Sequence, residues 1–151
     1  MKLSDYAALI ILFLTLLSAC MSKNIEQDKI HGQLNLFGIE LFSSTDYREI
    51  NGVKATEEPC LHGYERNFDS LDIIIGYGFN NRIRKITTLN SGTSIFGIKP
   101  GMSYLEGKHK IQQAGFTELT PPYKFKQDRI NVTLLVDNKL NIFGITIESI
   151  N

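Results

Sequence analysis

The thiol and imidazole side chains, the commonest zinc ligands, are few: two cysteines and three histidines in 151 residues. Cys60-Leu61-His62 brings one of each together. A structural zinc site needs three or four ligands. Asp69 or Asp72 would have to complete it, and no spacing ties either one to the pair. A nucleophilic Cys60–His62 dyad would require an activating environment that no neighbour supplies. His31 and His109 stand alone. Glu57-Glu58, beside Pro59, reads as a solvated turn rather than an acid/base pair. Gly76-x-Gly78 follows an apolar run but leads into another β-rich run, so it lacks the helix that a phosphate-cradling loop requires. Arg82, Arg84 and Lys85 read as the basic edge of a strand, a common protection against sheet-to-sheet association. The chain is therefore expected not to be an enzyme and to need no metal or cofactor.

The aromatic residues carry more information. Tyr64 and Tyr123 open matching segments of the chain, and Phe79 and Phe125 lie on or beside the same candidate strands. Packing within and between strands is one use for such residues. The other is contact with a partner, because a tyrosine buries a large area for little lost entropy. Tyr64, Tyr123, Phe79 and Phe125 are accordingly the candidate partner-binding residues.

These side chains must be positioned by a small fold. Sixteen basic residues balance sixteen acidic ones, and the pI is near 6.8. There is thus no long-range field to attract nucleic acid. A 42% hydrophobic share is too high for a disordered chain, and the length suits one ordinary domain or two very small units.

The N-terminus predicts export. Lys2 precedes the nearly uninterrupted apolar run Tyr6 to Leu17, and the small residues Ser18 and Ala19 follow. Together they have the layout of a secretory signal. A permanent anchor helix is the competing reading, but the uncharged stretch from Tyr6 to Ser22 is only 17 residues, at the short limit for spanning a bilayer. Leu17-Ser18-Ala19-Cys20 resembles the bacterial lipobox. That resemblance implies a signal peptide over 1–19, acylation of Cys20 and membrane attachment through lipid. Residues 20–32 then form the lipidated cysteine and a flexible polar tether. Cys60 is left without a partner, so no internal disulfide is expected. By resemblance to lipoprotein sorting rules, Met21 after the cysteine favours the outer membrane, facing the periplasm, in a Gram-negative cell. A Gram-positive cell would carry the protein on the outer face of the plasma membrane.

The remainder repeats with an offset of 59 residues. Ten of 57 gap-free pairs are identical, among them Phe37/Phe96, Gly38/Gly97, Tyr64/Tyr123, Ile83/Ile142 and Thr87/Thr146. This predicts two units, 33–92 and 93–151. Each reads as a strand and a short helix followed by an antiparallel three-strand meander. In the second unit, Ser103-x-x-Glu106 is a capping box and Gly115 a helix stop. In the first, Asp46 would cap a weaker helix carrying Tyr47, Ile50 and Val53, interrupted by Gly52. Ile-x-x-Ile-Thr ends each meander and breaks strict alternation. A β-bulge near Gly144 would return both isoleucines to one face. The expected fold class is α+β, with helices packed on one sheet face.

The stretch Phe96-Gly97-Ile98-Lys99-Pro100-Gly101-Met102-Ser103, with a helix ending at Ala114-Gly115, resembles the opening of β-lactamase-inhibitor-protein-like folds. That group includes small lipoproteins of outer-membrane assembly. The likeness implies helix-on-meander units, some in tandem, that act by binding other proteins. Phe37-Gly38-Ile39 keeps part of the pattern, while Leu41-Phe42-Ser43 replaces Pro-Gly-Met. The expected function is that of a lipid-anchored envelope protein acting as a scaffold or accessory subunit. The alternatives are a periplasmic inhibitor or immunity protein, and a small-ligand binder.

Overall fold

A computed structural model describes residues 33–150. The expected signal peptide, Cys20 and the tether lie outside the described residues. The fold is mostly β. Twelve strands occur among the described residues: β1 (Leu34–Asn35), β2 (Glu49–Ile50), β3 (Val53–Lys54), β4 (Thr56–Cys60), β5 (Gly63–Phe68), β6 (Ile73–Gly78), β7 (Ile83–Thr88), β8 (Ser94–Ile95), β9 (Thr117–Glu118), β10 (Lys124–Gln127), β11 (Ile130–Val136) and β12 (Ile142–Ser149). Eight of them form one antiparallel sheet in the order β4-β5-β6-β7-β12-β11-β10-β9. Two-stranded sheets join β1 to β8 and β2 to β3. One α-helix, α1 (Tyr104–Gln113), is present among the described residues, with a short 3₁₀ turn at Asp69–Leu71.

This corrects the expected α+β class of paired helix-on-meander units. The first helix does not exist. Asn51 and Gly52 take positive φ angles of 48° and 81° and turn Glu49–Ile50 back onto Val53–Lys54. An Asn-Gly pair between β-branched residues is a strong hairpin signal, and it outweighs the weak apolar stripe around it. The Asp46 carboxylate meanwhile binds Arg48 and Arg66.

The sheet is two-fold about its central strand pair. Thr87 and Thr146 are 59 residues apart, face each other in the β7–β12 register, and bring their hydroxyls within 2.9 Å. Asn35 and Ser94, also 59 apart, face each other in β1–β8. Backbone bonds recur at the same offset. Phe42 N–H donates to the Ile83 carbonyl at 2.8 Å, and Gly101 N–H to that of Ile142 at 2.7 Å. The register of β6–β7 slips between Gly76 and Tyr77, and that of β11–β12 between Leu135 and Val136. Arg84 and Phe143 are the inserted residues. Through these bulges Ile83, Ile86, Ile142 and Ile145 are all fully buried on one face.

That face also presents Phe68, Ile73, Ile75, Tyr77, Phe125, Val132 and Leu134, none more than 1% exposed. Helix α1 covers part of it. Ser103 caps the helix by accepting the Glu106 N–H at 3.3 Å. The helix approaches the sheet through Gly107, where a Cβ would collide with Ile142 Cδ1 and come within 3.5 Å of Leu134 Cδ1. In the first half, a loop takes the place of a helix. Tyr77 holds it, its hydroxyl donating to the Thr45 carbonyl at 3.1 Å and accepting the Tyr47 N–H at 3.0 Å.

Gly107→Val should therefore lower stability by about 1–3 kcal/mol, because the added volume has no room to enter. The urea midpoint reads this, and Leu105→Ala, at an exposed position on the same helix, should shift stability by no more than about 0.5 kcal/mol.

Candidate functional site

The other sheet face carries no covering element among the described residues. Strand alternation puts Glu65, Asn67, Ile74, Lys85, Thr87, Asn131, Thr133, Leu135, Thr146 and Glu148 on it. Lys85 forms an ion pair with Glu65 across this surface. The two edges of the sheet are β4 and β9. Pro59 and the adjacent glutamates sit on β4, which suits an edge, since proline donates no ladder bond and charge opposes pairing. Glu57-Glu58 is thus part of a strand and not a turn. The basic run Arg82, Arg84 and Lys85 is not an edge at all: β7 is central, between β6 and β12.

The four candidate contact residues have different fates. Phe125 is completely buried on the covered face, packed opposite Val132, and cannot reach a partner. Tyr64 stacks on Tyr77 with ring centroids 4.8 Å apart and planes 10° apart. Tyr123 meets Tyr104 edge-on at 4.9 Å. Both tyrosines are half-buried in intramolecular pairs on the covered side. Phe79 alone is free, 82% exposed at the β6–β7 turn. Leu61, at the β4–β5 turn, is 85% exposed. The two turns are neighbours, because Gly63 pairs with Gly78 directly behind them.

The shifted titratable groups are committed to holding the fold. Arg66, 4% exposed, donates to Asp46, to Glu57 at 3.0 Å and to the Tyr47 carbonyl at 2.9 Å, and lies 5.0 Å from the centre of the Tyr77 ring. Hydrogen bonds from Arg48 and Arg66 hold the Asp46 carboxyl below its usual value. In the second half, Lys108 and then Tyr104 do the same for Glu118, while burial and the Glu118 carboxylate push the Tyr104 phenol well up. Asp137 is lowered chiefly by the Asn141 backbone N–H, as its side chain caps the β11–β12 turn. Tyr104 and Glu118 are the nearest approach to an acid–phenol pair, and Lys108 at 2.5 Å neutralises that carboxylate.

Cys60 is a free, half-buried thiol and His62 an exposed imidazole. No cluster of three or more His, Cys, Asp or Glu side chains suited to a metal occurs among the described residues. No described helix is long and apolar enough to cross a membrane.

What sequence reasoning missed lies at the end of the sheet below Phe79. A groove of about 460 Å³ opens there between the β6–β7 turn, the start of β7 and the end of β12. Arg82, Arg84 and Arg129 line it together with His62, Phe79 and Ser149. A signal for it existed in the repeat itself. At an offset of 59, Arg82 and Arg84 of the first unit and Arg129 of the second correspond to Asn141, Phe143 and Ser70, so none of the three cations has a basic counterpart in the other unit. No protein family, curated protein or solved structure matches the chain.

Proposed function

We propose that this is a lipid-anchored protein of the cell envelope that acts by binding another protein rather than by catalysis. Lipid on Cys20 would fix the chain to the outer membrane on its periplasmic side, or to the outer face of the plasma membrane in a Gram-positive cell. The folded part would then present its contact surface as a scaffold or accessory subunit. The observation that carries the reading is the placement of Leu61 and Phe79 on adjacent turns, each more than four-fifths exposed, with Phe79 beside arginines that form no ion pair among the described residues. Large apolar side chains beside arginine are the composition of interface anchors, and water is a poor environment for them. The commitment of the shifted carboxylates and phenols to internal bonds supports binding over chemistry.

The test is a photo-crosslinking amino acid placed at position 79 of the full chain in its native membrane. The expected result is one discrete crosslinked protein in the membrane fraction, lost in Leu61→Asp, together with release of Cys20→Ser from that fraction. Crosslinks to lipid alone, or none, would refute partner binding. An unchanged membrane fraction for Cys20→Ser would refute the lipid anchor.

A further inference from the structure

We infer that the arginine groove is a binding site for a phosphate group. Arg82 and Arg84 enter it from the start of β7, and Arg129 from the turn before β11. None of the three forms an ion pair with a carboxylate among the described residues, although Arg48, Arg66, Lys85 and Lys108 all do. Arg84 Nε has no hydrogen-bond partner among the described residues and is closed off from water, so a ligand in the groove meets it only when the side chain turns outward. A buried guanidinium N–H left in that condition is costly, and a group that accepts from it recovers the loss.

The fold does not require this arrangement. Arg84 is the inserted residue of a bulge whose counterpart in the other half is Phe143, and that bulge forms equally well with a phenyl side chain. The Ser149 hydroxyl donates to the Arg84 carbonyl at 3.3 Å and fixes the bulge from the neighbouring strand. Edge protection is no explanation either, since β7 is central. Three cations gathered on one side of a two-fold sheet, in a groove with an imidazole, therefore mark a ligand site. Guanidinium forks match the oxygens of a tetrahedral anion and hold it through parallel N–H bonds. Phe79 at the rim offers apolar area to whatever carries the phosphate. The inference shares Phe79 and the arginines with the protein-binding reading, but its test needs no protein partner, so the two can fail separately.

The experiment uses the full chain in a neutral detergent, titrated calorimetrically with inorganic phosphate and with a short-chain phosphatidic acid below its micelle concentration. The arginine Nε–Hε resonances are followed by NMR. The expected result is saturable binding that shifts the Arg84 Nε–Hε signal. Arg84→Gln and Arg129→Gln should each weaken it about tenfold or more, while Arg48→Gln leaves it unchanged. Tighter binding of the phosphatidic acid would identify a lipid headgroup as the source of the phosphate; equal or weaker binding would identify a free phosphate. Arg129 sits on an exposed turn, so its variant tests the site without disturbing the bulge. Absence of saturable binding, or binding that survives both groove variants, overturns the inference.

Discussion

Phe125→Ala should destabilise the protein by about 3–5 kcal/mol, the usual cost of removing a fully enclosed phenyl ring. Phe125 has no exposed surface, and it stands between Val132 on β11 and Glu118 on β9. Its removal would leave a cavity beneath the outermost strands of the sheet. A domain of this size is held by about 5–15 kcal/mol in all, so the variant should lose a large part of that margin. Urea unfolding followed by circular dichroism would read the change as a lower midpoint. The comparison that gives the result meaning is Phe79→Ala. That ring is 82% exposed, and its loss should move stability by no more than about 0.5 kcal/mol. If it removes the crosslinked partner while stability holds, the two phenylalanines divide cleanly between fold and contact. A Phe125→Ala protein with an unchanged midpoint would contradict the core position assigned to that ring.

The sequence made strands legible wherever one face was apolar. Ile73, Ile75 and Tyr77, and likewise Ile130, Val132 and Leu134, alternate with residues of the open face, and the structure buries all six. The bulge was legible for the same reason, because two isoleucines three apart cannot otherwise share a face. The inserted residue proved to be Phe143, one place before Gly144. Strand β4 was not legible. An edge strand is stabilised by backbone pairing on one side only, and Thr56-Glu57-Glu58-Pro59 has the composition of a loop. The first helix fails because Asn51-Gly52 takes positive φ angles that no helix accommodates, and these outweigh an acidic cap and a short apolar stripe. Helix α1 had a poor apolar stripe for a physical reason. It meets the sheet through Tyr104, Gly107 and Ile111, and a glycine that allows close approach carries no hydrophobic signal. Residue type marks the four candidate contact residues but cannot separate a core phenyl ring from a surface one. Of the four, Phe79 alone is strongly exposed. The groove arginines read as a strand edge in the sequence because strand order is a long-range property, invisible in local pattern.

The second large effect is expected at Arg66. Arg66→Ala should cost about 2–4 kcal/mol, somewhat less than the cost of breaking a wholly buried ion pair. The discount arises because Asp46 and Glu57 are about half exposed, so water would solvate the carboxylates left behind. Much of the loss comes instead from packing. The guanidinium lies 5.2 Å and 5.0 Å from the Tyr64 and Tyr77 ring centres, and its removal empties the space that the loop over the first half closes. It also strips the Tyr47 carbonyl of a donor at 2.9 Å. Arg66→Lys should recover only part of the stability. An ammonium supplies the charge but cannot donate as a planar fork to Asp46 and Glu57 while lying against two rings. Tyrosine fluorescence and the urea midpoint would be measured together on both variants. The expected order of stability is native, then Arg66→Lys, then Arg66→Ala. Full recovery by lysine would mean that charge alone holds the loop, and that the stacked rings and the forked geometry contribute nothing. Because the second half uses helix α1 where the first uses this arginine, the loss should also be regional. Amide exchange should accelerate across residues 43–60 well before it does in α1, since a loop fastened by one side chain opens more readily than a helix seated on the core.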